Sequence, residues 1–462
     1  MNSLFDLSHY AMKELIKKGA DEVVINATKS SGSQIKFVNN KIAKIGTEGL
    51  TGMSFFVVKD KKIISTSVKD VIAGTVDDVI DHSDLNVSRK KIDEAVAKTI
   101  KFLKLTTPKT DYYGLAKGPF KYKTINDLYD KKIRNLSGKE QIDYVLEGIN
   151  AAQKEGAKRC SGIFETNSVK SIMLTSNKVE TSSEDSSVYF SIRAFLDKEA
   201  SGHMTSTERT LNKLDVTGAS KFAGSIANMA KNPQAGESGK YDVIFAPMAF
   251  AVMLSHVGGA ASMFDVEAGT SFFADSIDKK VGSDKVNLTD DGTLPGGLAS
   301  TEYDAEGVPT QKTNVIKNGI FKNYLYNTSI AAKYKTTTTG NAGLIAPNPW
   351  NIVLQPGSSS RDDLIKQIDN GLYITNVWYM RFQNYITGDF SVIPRDGIFY
   401  IKNGKIQNSV KNIRVRENMI NILKNIKDLG NDSKQMYGWE IDDSVITPHV
   451  LVKDITITKP TK

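Results

Sequence analysis

The stretch KKGADEVVINATKSSGSQIKFVNNKI at residues 17–42 returns, at a constant offset of 137 and without gaps, as KEGAKRCSGIFETNSVKSIMLTSNKV at residues 154–179. Lys17, Gly19, Ala20, Ser31, Ile35, Asn40 and Lys41 meet Lys154, Gly156, Ala157, Ser168, Ile172, Asn177 and Lys178. Chance alone supplies about one or two identities over such a window, so the pattern reads as an internal repeat. The local physics of the copies agrees. Each starts with an amphipathic helix. In the first, Leu4, Leu7, Ala11 and Leu15 recur at helical spacing. In the second, Ser137 and Glu140 form a capping-box pattern, followed by Ile142, Val145, Leu146 and Ile149 on one face. Both helices stop at a glycine, Gly19 or Gly156. A strand and a hairpin follow, with the tight turn near Asn40 or Asn177.

Working outward, residues 87–133 predict a charged helix, RKKIDEAVAKTIKFLKLT, and then a loop rich in Pro, Gly and Tyr. A helix is expected at about 211–231, ending at Asn232-Pro233. From Lys240 onward the pattern is strand-rich. Asn318-Gly319 and Asn403-Gly404 sit between apolar runs and carry the chemistry of two-residue hairpin turns. The expected organisation is α+β. An N-terminal αβ domain (1–105) holds the first repeat copy and a central αβ domain (106–232) the second. A C-terminal β-rich domain (233–462) forms a curved or barrel-like sheet around a buried helix.

That helix comes from VIFAPMAFAVMLSHVGGAASMF, residues 243–264, which contains no Lys, Arg, Asp or Glu. Pro247 divides it into a short strand and a helix of about 17 residues, roughly 26 Å long. That length barely reaches across a bilayer, and the helix carries His256, Gly258 and Gly259, so it reads as a buried core helix. The N-terminus lacks the continuous apolar run of a signal peptide.

Composition removes several classes of function. The single cysteine, Cys160, excludes an intramolecular disulfide, a Cys-rich zinc site and an iron–sulfur cluster. It falls within the repeat and reads as a buried structural residue. The net charge of +8 rests on 50 Lys and 10 Arg among 60 basic residues. Phosphate and base-edge recognition favour Arg, so this surface argues against nucleic-acid binding. No phosphate-binding glycine loop and no nucleophile elbow occur. Asp290, Asp291, Asp304 and Glu306 lie close in sequence. Hard cations need such oxygens, but Asp291-Gly292 and Glu306-Gly307 are also turn formers, and turns are the preferred reading.

Several segments together resemble one family. They are YDVIFAPMAFAVMLSH (241–256), DDGTLPGG (290–297), YDAEGVPTQKTNVIKNGIFKNYL (303–325), TGNA (339–342) and PGSSSRDDLIKQIDNGLYI (356–374). In words, order and spacing they resemble the C-terminal domain of the TldD/TldE (PmbA) family, also called modulators of DNA gyrase. GLTGMSFFVVKDKKI (49–63) resembles the family's first-domain strand pair. The resemblance implies the following. TldD-type members are zinc peptidases with HExxxH on a helix and a Cys near the C-terminus. Here the first His falls on His256, the Glu on Val257, the second His on Ala261, and the Cys near Tyr437. One ligand of three remains and the base that would activate water is absent. No catalytic or metal-binding residue is therefore assigned to this chain. By resemblance it is the TldE type, a cytoplasmic, non-catalytic subunit that pairs with a zinc-bearing TldD-type partner around a chamber where extended peptides are cut. Two rival readings stay open. In one, His256 joins His203, His449 or acidic residues in a non-standard metal site. In the other, the chain is a homodimeric peptide-binding protein.

Overall fold

The computed structural model describes residues 3–71 and 82–459. The first repeat copy forms a helix, Ser3–Lys17, and strands β1 (Glu22–Val38), β2 (Lys41–Lys59) and β3 (Lys62–Lys69). The second forms a helix, Gly138–Lys154, and strands β4 (Arg159–Thr175), β5 (Val179–Phe195) and β6 (Ser201–Glu208). The six strands make one antiparallel sheet in the order β3-β2-β1-β4-β5-β6. The two copies therefore share a single layer, joined through their first strands.

Local signals set the ends of these elements. Leu4, Leu7, Ala11 and Leu15 are all buried. Ser137 and Glu140 make both bonds of a capping box. Gly19 and Gly156 have φ of +87° and +105°, the left-handed conformation that ends a helix without a Cβ clash. On the second helix the buried face is centred on Gln141, Val145, Gly148, Ile149 and Ala152, and Leu146 is exposed. Gln141 takes the inward place because its side chain donates to the Leu136 carbonyl and accepts from Ser33 Oγ.

The turn asparagines reach across the repeat. Asn40 donates to the Lys158 carbonyl and accepts from the Cys160 N–H, at the start of β4. Asn177 donates to the Glu22 carboxylate at the start of β1. Each copy's hairpin turn thus pins the other copy's first strand.

The charged helix is His82–Leu103. The segment expected as one helix at about 211–231 is a short 3₁₀ turn, Leu211–Lys213, and a helix, Val216–Met229, capped by Asp215. In the C-terminal half, Asn370–Asn384, Gly239–Phe245, Val450–Thr458, Arg414–Asn418 and Asp389–Lys402 pair in that order. The first then pairs with the last, closing a five-stranded barrel. A second sheet runs Ile320–Phe321, Lys312–Lys317, Leu288–Asp291, Asn351–Leu354, Ile441–Thr447, Lys434–Gly438. Both Asn-Gly turns are hairpins with positive φ at each central residue.

The charge-free helix is Pro247–Ala260, packed between the strands Asn370–Asn384 and Ile441–Thr447. It is shorter than the 17 residues expected. The Ala261 carbonyl accepts from Leu325 N–H and Met263 N–H donates to the Leu325 carbonyl, so a tertiary bridge takes the groups that a further turn would use. Gly258 allows close packing, since a Cβ there would lie 1.9 Å from the Ile352 side chain. Among the described residues no helix is long and apolar enough to cross a membrane.

Candidate functional site

His256 lies one turn before the end of the Pro247–Ala260 helix, partly exposed, edge-on to Phe382 at 5.2 Å between ring centres. Burial lowers its pKa, the Asp442 charge opposes this, and Arg381 adds to the lowering. The neighbouring Ser255 donates to Asp443 at 2.6 Å. Val257 and Ala261 are fully buried in the apolar core. Tyr437 is exposed on the edge strand Lys434–Gly438. The donors at these four positions are one imidazole and one phenol, beside two alkyl groups sealed from solvent. Such a set does not fit a zinc ion, which takes three or four N, S or O ligands. Among the described residues no group of three or more His, Cys, Asp and Glu side chains is arranged to hold a metal.

The other histidines considered with His256 are engaged elsewhere. His449 Nδ1 meets Asp432 at 2.6 Å and its Nε2 meets the Tyr373 hydroxyl at 3.1 Å. His203 is buried between Ser191, 2.9 Å from Nε2, and Asn376, 3.2 Å from Nδ1. Asp396 lies beyond Asn376. The order Ser–His–Asn–Asp resembles a nucleophile relay, but the hydrogen bonds run the wrong way. Asn376 Nδ2 donates to Asp396 and its Oδ1 accepts from Val377 N–H, which fixes the amide. Nδ2 therefore donates to His203 Nδ1, the imidazole proton sits on Nε2, and Ser191 accepts it. The ring cannot act as base toward Ser191. Burial pushes the His203 pKa down to about 4.

The acidic residues near 290–306 are structural acceptors. Asp291 accepts from Thr293 N–H and hydroxyl in a turn. Asp304 accepts from the N–H groups of Glu306, Val308 and Ala342. Asp290 holds Asn341 and Trp350. Burial raises Asp290 to about 7, Asp304 to about 6 and Glu306 to about 8. Cys160 is buried and its thiol is pushed up to about 11, so it is not an activated nucleophile.

Beside the His256 region lies a feature that sequence reading missed: a cleft of about 540 Å³ between the β4–β5 ladder and the strand Ile441–Thr447. Glu165 and Tyr189 face each other on one wall, paired across β4 and β5. Tyr437, Trp439, Asp442 and Asp443 come from the other. Arg209 fixes the walls. It pairs with Asp185 at 3.0 Å and donates to the carbonyls of Gly297, Leu298 and Ser300. These residues are separated by up to 279 positions (Glu165 to Ser444), so no local pattern joins them. Strand alternation places Glu165 and Asn167 on one face, and nothing in the sequence names what opposes it.

The barrel, the second sheet and the helix between them define a PmbA/TldD-type architecture. Residues 238–459 match the PmbA/TldA metallopeptidase C-terminal domain, and this half of the chain belongs to the PmbA/TldD metallopeptidase family. A protein of Methanocaldococcus jannaschii described as uncharacterized is 28% identical over 349 residues, covering 74% of this chain and 80% of its own. The metalloprotease PmbA of Escherichia coli O157:H7 is 33% identical over 193 residues, 42% of this chain and 41% of that protein. A metalloprotease TldD homolog of Buchnera aphidicola is 32% identical, covering 48% of this chain and 47% of its own. The chain thus matches under half the length of these named metalloproteases. TldE from Thermococcus kodakarensis shares the fold with a TM-score of 0.84 over 97% of this chain and all of that one, at 23% identity. A Thermotoga maritima protein described as a modulator of DNA gyrase does so at 0.82, over 98% of this chain and all of that one, with 24% identity.

Proposed function

We propose that this chain is a non-catalytic, TldE/PmbA-like subunit of a cytoplasmic TldD/TldE-type zinc metallopeptidase complex that cleaves peptides. One observation carries the reading. Where a TldD-type chain has Glu and His, this chain has Val257 and, just past the end of the helix, Ala261, both sealed in the core, and Tyr437 stands near the place of the Cys. Zinc belongs to the partner. This chain contributes chamber wall, dimer surface and part of the peptide path.

The test is reconstitution. The purified chain, mixed with a TldD-type subunit, is expected to form a stable complex with chelator-sensitive peptide cleavage, and alone to carry no stoichiometric zinc. Chelator-sensitive cleavage by the isolated chain, with one zinc per chain, overturns the reading in favour of a non-standard metal site. A stable homodimer that ignores the partner overturns it in favour of a stand-alone peptide binder.

A further inference from the structure

The lining of the cleft beside His256 is uneven in charge. It presents Glu165, Asp185, Asp442 and Asp443 against a single cation, Arg209. Arg209 is already committed to Asp185 and to three carbonyls. Three carboxylates therefore face the cleft without a cation among its lining residues. A concave wall of one sign concentrates counter-charge.

Two further observations point to an occupant. Trp439 and Tyr437 are 39% and 43% exposed although both are aromatic and both line the cleft. The Trp439 indole N–H is spent on the Val377 carbonyl and its ring meets the edge of His203 at 5.0 Å. The side chain is thus held in place by the protein while still open to solvent. Secondly, Thr207 and Ser444, 3% and 2% exposed, are among the residues that line the same cleft, and their buried hydroxyls have no hydrogen-bond partner among the described residues. Burial without a partner leaves the hydrogen-bonding capacity of both hydroxyls unused by the fold.

An excess of carboxylates beside exposed aromatic rings, on a wall whose hydrogen-bonding capacity the fold has not used up, suits one chemical group, a cation rich in N–H donors. From this juxtaposition we infer that the cleft binds peptide segments bearing a lysine or arginine side chain, so that basic stretches are the preferred cargo of the chamber. This rests on the reading of the chain as a peptide-handling subunit and adds the class of peptide to it.

The test uses the full chain and three fluorescein-labelled extended octapeptides that differ only at one central position: Lys, Gln or Glu. Binding is read by fluorescence polarisation at low and at physiological ionic strength. The Lys peptide is expected to bind about tenfold more tightly than the Glu peptide, with Gln between them, and the preference shrinks as salt rises. The double variant Glu165→Gln, Asp442→Asn is expected to abolish the ranking, with an unchanged melting temperature showing that the fold is intact. Equal affinity for all three peptides, no binding of any, or a ranking that survives in the double variant overturns the inference. Reconstitution with a TldD-type partner is scored separately, so a failed ranking with a functional complex removes only the charge preference.

Discussion

Ser31 and Ser168 stand directly opposite each other in the β1–β4 ladder, and they are also equivalent positions of the repeat, 137 residues apart. The antiparallel pairing therefore places a local two-fold axis between them. The hairpins obey it: Glu22 pairs with Val58 in one copy, and the equivalent Arg159 pairs with Phe195 in the other. Asn40 and Asn177 are exchanged by the same axis, which is why each reaches the opposite copy's first strand.

That symmetry predicts matched effects on stability. Asn40→Ala and Asn177→Ala each remove bonds that hold the far copy, and each is expected to lower stability by about 1–2 kcal/mol. Being far apart, the two losses should add to within about 0.5 kcal/mol in the double variant. Urea unfolding of the three variants checks this. A negligible effect of either single change removes the idea of reciprocal pinning.

Placing an acid at position 257 should be harmful on its own. Val257 is fully buried, and Val257→Glu places a carboxyl in apolar surroundings without an existing partner. A loss of about 3 kcal/mol or more is expected, read from the unfolding midpoint. A neutral outcome would show that position 257 has access to solvent.

Glu306 makes stability depend on pH. Burial, reinforced by the Asp304 charge, raises its folded pKa to about 8, against about 4.3 in an unfolded chain. Between these values the folded state keeps a proton that the unfolded state has released. Its contribution is whole below about pH 4.3 and is lost as pH rises through 8. Glu306→Gln should therefore flatten the decline in stability between pH 6.5 and 9. Part of the slope should persist, because Asp290 and Asp304 are raised by the same cause. Urea midpoints across this range, wild type against variant, decide it.

For His203 the opposite sign holds. Its folded pKa is depressed to about 4, below about 6.5 when unfolded, so its contribution is complete above pH 6.5 and lost as pH falls toward 4. Nitrogen-15 spectra should show a neutral ring at pH 6 with the proton on Nε2. A proton on Nδ1 would reverse the Asn376 assignment and reopen the question of Ser191 as a nucleophile.

Much of this architecture was written in short-range signals. The Ser137 capping box, the terminal glycines and both Asn-Gly turns act over four residues or fewer, and each formed where the local chemistry placed it. The family's segments were likewise legible. Signals were silent where distant backbone decides. The helix expected to run to 264 stops at Ala260 because Leu325 captures the next groups. The joining of the two repeat copies through β1 and β4 depends on pairing across more than a hundred residues. The cleft is the extreme case, since its walls come from six separate stretches of chain whose individual residues look like ordinary solvated side chains.

The Arg209 clamp has a mechanical corollary. Its guanidinium is buried in the seam between the two halves and ties β6 to the 297–300 loop. Spreading the walls would strip a buried cation of its acceptors, a penalty of several kcal/mol. The cleft is thus a bore of set gauge, not a jaw. Whatever enters meets a lining at fixed spacing, with no grip to tighten and none to release.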